Sequence, residues 1–273
     1  MKIQRKKSWV GFLFTVPFLA GFILFYCAPI VVNLVNSFFS GAGSIFFVGL
    51  DNYKNVWSGF AFQLAVKNTL KFIAIAVPLI MVLTFFISLL LESRLKKLRF
   101  FRSIFLIPLI IPVALTSYII QSTFSKSWIN SPNAFPLLVL LYLWKNFGYN
   151  IIIFCSFLSS IPDEYYSVAN LEGASAMQKL RYITLPVMKP SILYVLIISI
   201  VNVFKSFREA FVLGGNNPHK SIYMLQHFIN QNFKNFSAGS LAVVAITVLG
   251  FVSLFIVLIL LLNKISRGNR YEK

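Results

Sequence analysis

Apolar residues run along this chain in long blocks separated by short basic or polar segments. Six blocks approach or exceed the roughly 20 residues that a helix needs to cross the hydrocarbon of a bilayer. They cover about 9–33, 69–91, 103–124, 135–158, 190–213 and 238–263. Pro17, Pro78, Pro108 and Pro112 fall inside them. In a membrane helix such prolines are tolerated where neighbouring helices satisfy the freed carbonyls, so six continuous spans are expected. The leader carrying Lys2, Arg5, Lys6 and Lys7 is similar to that of a signal peptide. No small-residue cleavage site follows, and Pro29 with further apolar residues predicts a retained anchor. The expected fold class is an all-α integral membrane protein of about six transmembrane helices.

Composition supports this pattern. The 273 residues are 58% hydrophobic and only 12% charged, with a mean hydropathy of +0.79. Soluble domains hold roughly 25% charged residues, so the apolar excess must face lipid. The net charge of +18 would suggest nucleic acid in a soluble protein. Here the basic residues interrupt apolar spans, where they set topology and meet anionic headgroups, and no nucleic-acid partner is expected. Cys27 and Cys155 lie within apolar runs and read as small hydrophobes without ligand spacing.

The same charges orient the bundle. Placing both termini in the cytoplasm gathers Lys2, Arg5, Lys6 and Lys7, then Arg94, Lys96, Lys97, Arg99 and Arg102, then Lys179, Arg181 and Lys189, and finally Lys264, Arg267, Arg270 and Lys273 on the inner side. That is sixteen of the 25 basic residues. A multi-pass protein of the cell (plasma or inner) membrane follows, divided into 1–65 (tail, first span, outer loop), 66–265 (the main transmembrane domain, with an inner loop at 161–187) and a tail at 266–273.

The 161–187 connection is unlike the others. Pro162 suits the first turn of a helix, and Asp163 and Glu164 complement its dipole. Tyr165, Val168, Ala169 and Leu171 or Glu172 recur at helical spacing. Gly173 can end that helix before a second short one. A charged, amphipathic helical hairpin is therefore expected between two spans. It either lies on the membrane surface or docks a cytoplasmic partner in a groove.

Its residues carry a resemblance. Ser167-Val168-Ala169, Glu172-Gly173-Ala174 and Ile183-Thr184-Leu185-Pro186 resemble the EAA, D-G-A and I-x-L-P pattern of the EAA loop in binding-protein-dependent ABC importer permeases. Further segments look like counterparts in the carbohydrate branch, the maltose, lactose and glycerol-phosphate permeases. They include Leu13–Pro17 with Tyr26–Ile30, Gly49-Leu50-Asp51-Asn52-Tyr53, Asn68-Thr69-Leu70, Phe101-Arg102, Pro108-Leu109-Ile110-Ile111-Pro112, Trp144, Asn150, Phe204-Lys205-Ser206-Phe207 and Gly214-Gly215.

The resemblance implies that the loop is a coupling helix docking on an ATPase, with Asp163, Glu164, Ser167, Val168, Ala169, Glu172, Gly173, Ala174, Leu185 and Pro186 at that surface. It also implies import of a sugar, an oligosaccharide or a glycerol-phosphate-like solute. The partners would be a second homologous permease subunit, a pair of ATPase subunits, an extracytoplasmic solute-binding protein and the lipid bilayer. Two positions depart from the pattern: Ser167 stands where the family has glutamate, and Glu172 where it has aspartate.

Polar residues at membrane depth mark a path or structural pairs. Lys145, Asn146 and Asn150 in the fourth span, with Lys145 about 15 Å deep, could line a sugar path or bond between helices. Asn202, Lys205, Arg208 and Glu209 follow in the fifth, with Lys205 about 22 Å along it. The charges at 205, 208 and 209 sit at helical spacing and either pair and snorkel or face the path. Gly214-Gly215-Asn216-Asn217-Pro218-His219-Lys220-Ser221 nearly spells a P-loop, but His219 stands where glycine is required and no strand precedes it. The chain is thus expected not to be an enzyme, to need no cofactor or metal, and to draw energy from a partner. A permease for another solute class, or a membrane scaffold without transport, would share the architecture.

Overall fold

Backbone in lipid must satisfy its own hydrogen bonds, and uninterrupted apolar sequence does so as helix. The computed structural model describes the backbone of residues 2–40, 46–95, 99–233 and 237–268. It describes side chains over 11–40, 46–91, 104–233 (apart from 113, 117 and 207) and 237–261. The side chains of Lys2, Arg5, Lys6, Lys7, Arg94, Lys96, Lys97, Arg99, Arg102, Lys264, Arg267, Arg270 and Lys273 lie outside the described residues.

In chain order the elements are α1 (Lys2–Phe22), α2 (Ala28–Asn36), strands β1 (Phe39–Ser40) and β2 (Phe46–Phe47), α3 (Asp51–Ser58), α4 (Phe60–Leu95), α5 (Arg99–Ile110), α6 (Val113–Thr123) and α7 (Lys126–Ile129). Then come α8 (Ala134–Leu158), α9 (Asp163–Leu171), α10 (Ala176–Lys179), α11 (Leu185–Lys205), α12 (Phe207–Gly214), a 3₁₀ turn (Lys220–Ile222), α13 (Leu225–Asn232) and α14 (Ala238–Gly268). Among the described residues five helices are long and apolar enough to span a membrane, or six if one bent pair counts as a span.

Prolines sort the helices into three behaviours. Pro17, Pro78 and Pro190 lie inside unbroken helices, as tolerated in a bundle. Pro29 and Pro186 each follow a five-residue π-helical stretch, Ile23–Cys27 and Leu180–Thr184. Proline cannot donate to the carbonyl four residues back and clashes with it. Those carbonyls, of Phe25 and Tyr182, sit in the widened turns, where the next residue bonds five back instead: Ala28 N–H to Ile23 O and Leu185 N–H to Leu180 O. At Pro112 the chain does break. Its ψ of 139° is extended, and the helices on either side, Ile104–Ile110 and Ala114–Thr123, bend by 92°. The expected continuous span over 103–124 is therefore a bent pair. Pro112 biases Ile111 out of the helical region, and with Pro108 it removes two backbone donors within five residues.

The chain divides into two compact units, 1–63 with 229–254 and 64–228 with 255–273. In the first, β1 and β2 pair antiparallel, Phe39 opposite Phe47. Asn52 at the start of α3 donates to the carbonyls of Ser37 (3.0 Å) and Phe39 (2.9 Å). Tyr53 meets the Ser37 hydroxyl at 2.8 Å, and Trp57 Nε1 donates to Thr247 Oγ1 of α14 at 3.1 Å. This is the local work of the Asp51-Asn52-Tyr53 segment.

In the second unit, α4, α8 and α11 share a core around Phe72, Ile80, Leu138, Tyr142 and Val203. Asn68 in α4 donates to the carbonyls of Lys220 (2.7 Å) and Tyr223 (2.9 Å), and Thr69 Oγ1 accepts from Leu225 N–H (3.2 Å). These bonds hold the segment after α12, including the former P-loop look-alike, as a structural turn. His227 Nδ1 accepts from Met224 N–H at 3.4 Å, and burial pushes its pKa down to about 4 from 6.5. Helices α5 and α8 meet at Gly148, where a Cβ would fall 1.7 Å from the carbonyl oxygen of Phe105, the small-residue contact typical of membrane helices.

Gly148→Ala should therefore destabilise the purified full-length chain by about 1–3 kcal/mol through overpacking. Gly250→Ala, with nothing within 4 Å of the new Cβ, should not; thermal unfolding in detergent compares them. Because His227 is neutral when folded and takes a proton on unfolding, its share of stability is intact above about pH 6.5 and lost as pH falls toward about 4. His227→Gln should flatten that slope in a series of melting curves.

Candidate functional site

A polar cavity of the second unit has a volume of about 500 Å³ and is lined by Leu109, Tyr142, Lys145, Asn146, Asn202, Lys205, Ser206, Arg208, Glu209 and Gln226. Helix geometry explains the grouping. Tyr142, Lys145 and Asn146 lie within one turn of α8, three and four residues apart, and so share a face. Asn202 and Lys205 do the same on α11. The chain then leaves helical geometry at Ser206, with ψ near 5°, and Ser206 Oγ caps the break by donating to Asn202 O at 2.9 Å. Arg208 and Glu209 follow in the first turn of α12. Lys205 and the two later charges thus belong to two helices, which corrects the single-helix spacing read from sequence. The turn is a single residue, and Ala176–Gly214 still counts as one candidate span.

Lys145 Nζ donates to the Glu209 carboxylate, and both side chains are largely buried, at 18% and 8% exposure. An ion pair is the way such charges survive away from water. A polar ladder joins α8 to α11 beside it. Asn202 Nδ2 donates to Asn146 Oδ1 at 2.8 Å, and Asn146 Nδ2 to Tyr142 O at 2.9 Å. Tyr142 OH donates to Ser199 O at 2.7 Å, and Asn150 Nδ2 to Ser199 Oγ at 3.3 Å.

The structure therefore brings six of the seven candidate path residues to one cavity: Lys145, Asn146, Asn202, Lys205, Arg208 and Glu209. It places Asn150 elsewhere, fully buried between α8 and α11 in the interhelical role. Sequence reasoning missed Tyr142, Ser206 and Gln226. The first two repeat the faces of Asn146 and Asn202 at i−4 and i+4, a usable signal. Gln226 comes from α13, and no periodicity points to it.

At the opposite end of α8 and α11 stands the 161–187 connection. Helix α9 opens at Pro162 with Asp163 and Glu164 in its first turn. It closes in a Schellman motif: Ala174 N–H bonds Ala169 O (2.9 Å), Gly173 N–H bonds Asn170 O (3.1 Å), and Gly173 has φ of +73°. Ser175 and Gln178 form a capping box that starts α10. Lys179 Nζ donates to Asn170 Oδ1 at 2.6 Å, and Tyr166 OH meets Thr184 Oγ1 at 2.9 Å, tying the hairpin to itself and to the run into α11.

Tyr166 and Ala169 face inward and are half-buried, whereas Tyr165, Val168 and Leu171 are exposed, Leu171 at 89%. The apolar stripe expected from spacing thus splits between two faces, and the one carrying Leu171 is uncovered. Asp163, Glu164 and Glu172 are also exposed, Leu185 is exposed at 38% and Pro186 is half-buried. The hydroxyl of exposed Ser167 donates back to Asp163 O at 3.0 Å, so this position presents a neutral, self-satisfied side chain.

Known proteins resemble this chain in sequence and in fold. The arabinooligosaccharides transport system permease protein AraP of Bacillus subtilis (strain 168) is 32% identical over 281 residues, spanning 91% of this chain and 88% of that protein. The crystal structure of a bacterial ABC transporter involved in the import of the acidic polysaccharide alginate contains a chain with a TM-score of 0.77 at 19% identity, covering 98% of this chain and 99% of that one. A bacterial alginate ABC transporter in complex with alginate pentasaccharide-bound periplasmic protein gives a TM-score of 0.77 at 17% identity, over 96% and 95% of the two chains. At those identities the likeness concerns the fold. Residues 7–268 match the family described as binding-protein-dependent transport system inner membrane component, and with nearly its whole length so matched, the chain belongs to that family.

Proposed function

We propose that the chain is one permease subunit of an ATP-driven sugar importer, forming part of the transmembrane path for an oligosaccharide. The observation that carries the reading is the polar cavity between α8, α11 and α12, walled by the same two helices that the exposed α9–α10 hairpin connects. A saccharide needs hydroxyl-matching donors and acceptors in a concave site, and Asn146, Asn202, Tyr142 and Gln226 are of that kind. The similarity to a permease of an arabinooligosaccharide system supports the solute class. A solute-binding protein outside would deliver the sugar, and a second homologous permease would complete the path.

The hairpin would dock on one of a pair of ATPase subunits, with Leu171, Val168 and Tyr165 entering an apolar groove and Asp163, Glu164 and Glu172 at its rim. Closure of the ATPase pair would then shift the bundle between two states, since a partner that binds one state better moves the equilibrium toward it. Both termini and the hairpin are assigned to the cytoplasm from the basic segments.

The test is ATP-dependent uptake of a labelled oligosaccharide, the better transported of arabinotriose and trigalacturonate, by the assembled importer in proteoliposomes. Gly173→Val, forced into a left-handed conformation that β-branched residues avoid, should insert normally and cut uptake about tenfold or more. Unchanged uptake would remove the hairpin from the coupling role. Glu209→Gln should destabilise the chain by about 3–5 kcal/mol by stranding Lys145. Lys145→Met combined with Glu209→Leu should recover the melting temperature without recovering uptake.

A further inference from the structure

The charge on the cavity wall does not balance. Lys145, Lys205 and Arg208 supply three cations and Glu209 a single carboxylate, which is already engaged by Lys145. Lys205 and Arg208 are both exposed to the cavity and make no ion pair among the described residues. Helix electrostatics accounts for one of them. Lys205 closes the last turn of α11, where a cation complements the negative end of the helix dipole. Arg208 has the opposite setting. It sits in the first turn of α12, where the dipole favours an anion and disfavours a guanidinium, and Glu209 beside it is already committed to Lys145. A guanidinium set against the local dipole, beside a second free cation and a row of neutral amides, is arranged to meet negative charge. The planar fork of arginine suits a carboxylate or phosphate through paired N–H donors.

We propose that the solute is an anionic saccharide, one carrying a carboxylate or a phosphate, whose charge is held by Lys205 and Arg208 while Asn146, Asn202 and Gln226 bond its hydroxyls. This inference rests on the cavity being part of the solute path. Its volume of about 500 Å³ lies in the range of sites for molecules of a few sugar rings. Charged groups in a partly dry cavity attract far more strongly than in bulk water, so the two cations would discriminate strongly between acidic and neutral forms of one sugar.

The experiment uses the assembled importer, full-length chain with its partner subunits, in lipid nanodiscs. Equilibrium binding is measured for two matched probe pairs: trigalacturonate against galactotriose, and galactose 6-phosphate against galactose. At least one anionic probe should bind about tenfold or more tighter than its neutral counterpart at about 50 mM salt. That ratio should shrink at about 500 mM, where screening is stronger. The double variant Lys205→Gln, Arg208→Gln should bring the ratio close to one, and the pair that responds names the anionic group. Equal or weaker binding of both anions overturns the proposal. So does a double variant that keeps the ratio but no longer co-purifies with the second permease, because the cations would then face that subunit's carboxylates. If galactotriose is still taken up with ATP while no anion preference exists, only the anionic inference falls. If no saccharide is bound or taken up, the reading of the cavity as a path falls with it.

Discussion

A lysine and a glutamate facing each other inside an apolar bundle set the terms for everything around them. Either charge alone would lose several kcal/mol of hydration, whereas the pair recovers most of it at contact distance. Lys145 is carried by α8 and Glu209 by α12, and between α11 and α12 the chain departs from helix geometry. The break at Ser206, capped by its own hydroxyl, is where that departure occurs. The amides of Asn146 and Asn202 and the Tyr142 hydroxyl then close the ladder between α8 and α11. The cavity is lined from α8, α11 and α12, with Gln226 of α13. Its polar lining follows from the same few residues that hold the helices together.

Much of this architecture was legible in the sequence, because membrane physics allows apolar blocks of twenty residues few conformations. The spans, the helical hairpin at 161–187 and the turn at Gly173 follow from length, charge and glycine chemistry alone. Two breaks were not legible. Pro78 and Pro112 look alike in sequence, and only the presence of Pro108 four residues earlier, with the bend that results, separates them. Ser206 carries no helix-breaking signature. Its departure shows only in the structure, where ψ falls near 5° and its hydroxyl bonds Asn202 O.

Side-chain partners were harder still. Asn146 and Asn150 are one turn apart on the same helix and equivalent by periodicity, yet one lines the cavity and the other is sealed against Ser199. The difference arises from where α11 crosses α8, a long-range fact. In the hairpin, helical spacing grouped Tyr165, Val168 and Ala169 as one face. Tyr166 takes the inward position, packed on the core around Phe154 and Met188 with its hydroxyl at Thr184, and Tyr165 and Val168 lie outside. Local pattern identified the element, and its rotation depends on contacts with residues distant in the chain, Thr184 among them.

The π-helical stretch at Leu180–Thr184 has a mechanical meaning. It lets proline-bearing α11 join α10 without a hinge, so residues from Ala176 to Lys205 form an unbroken helical rod of roughly 45 Å at 1.5 Å per residue. A rod does not absorb displacement the way a loop does. A push or twist at the exposed hairpin would therefore be carried along this rod to the turn at Ser206, which borders the cavity.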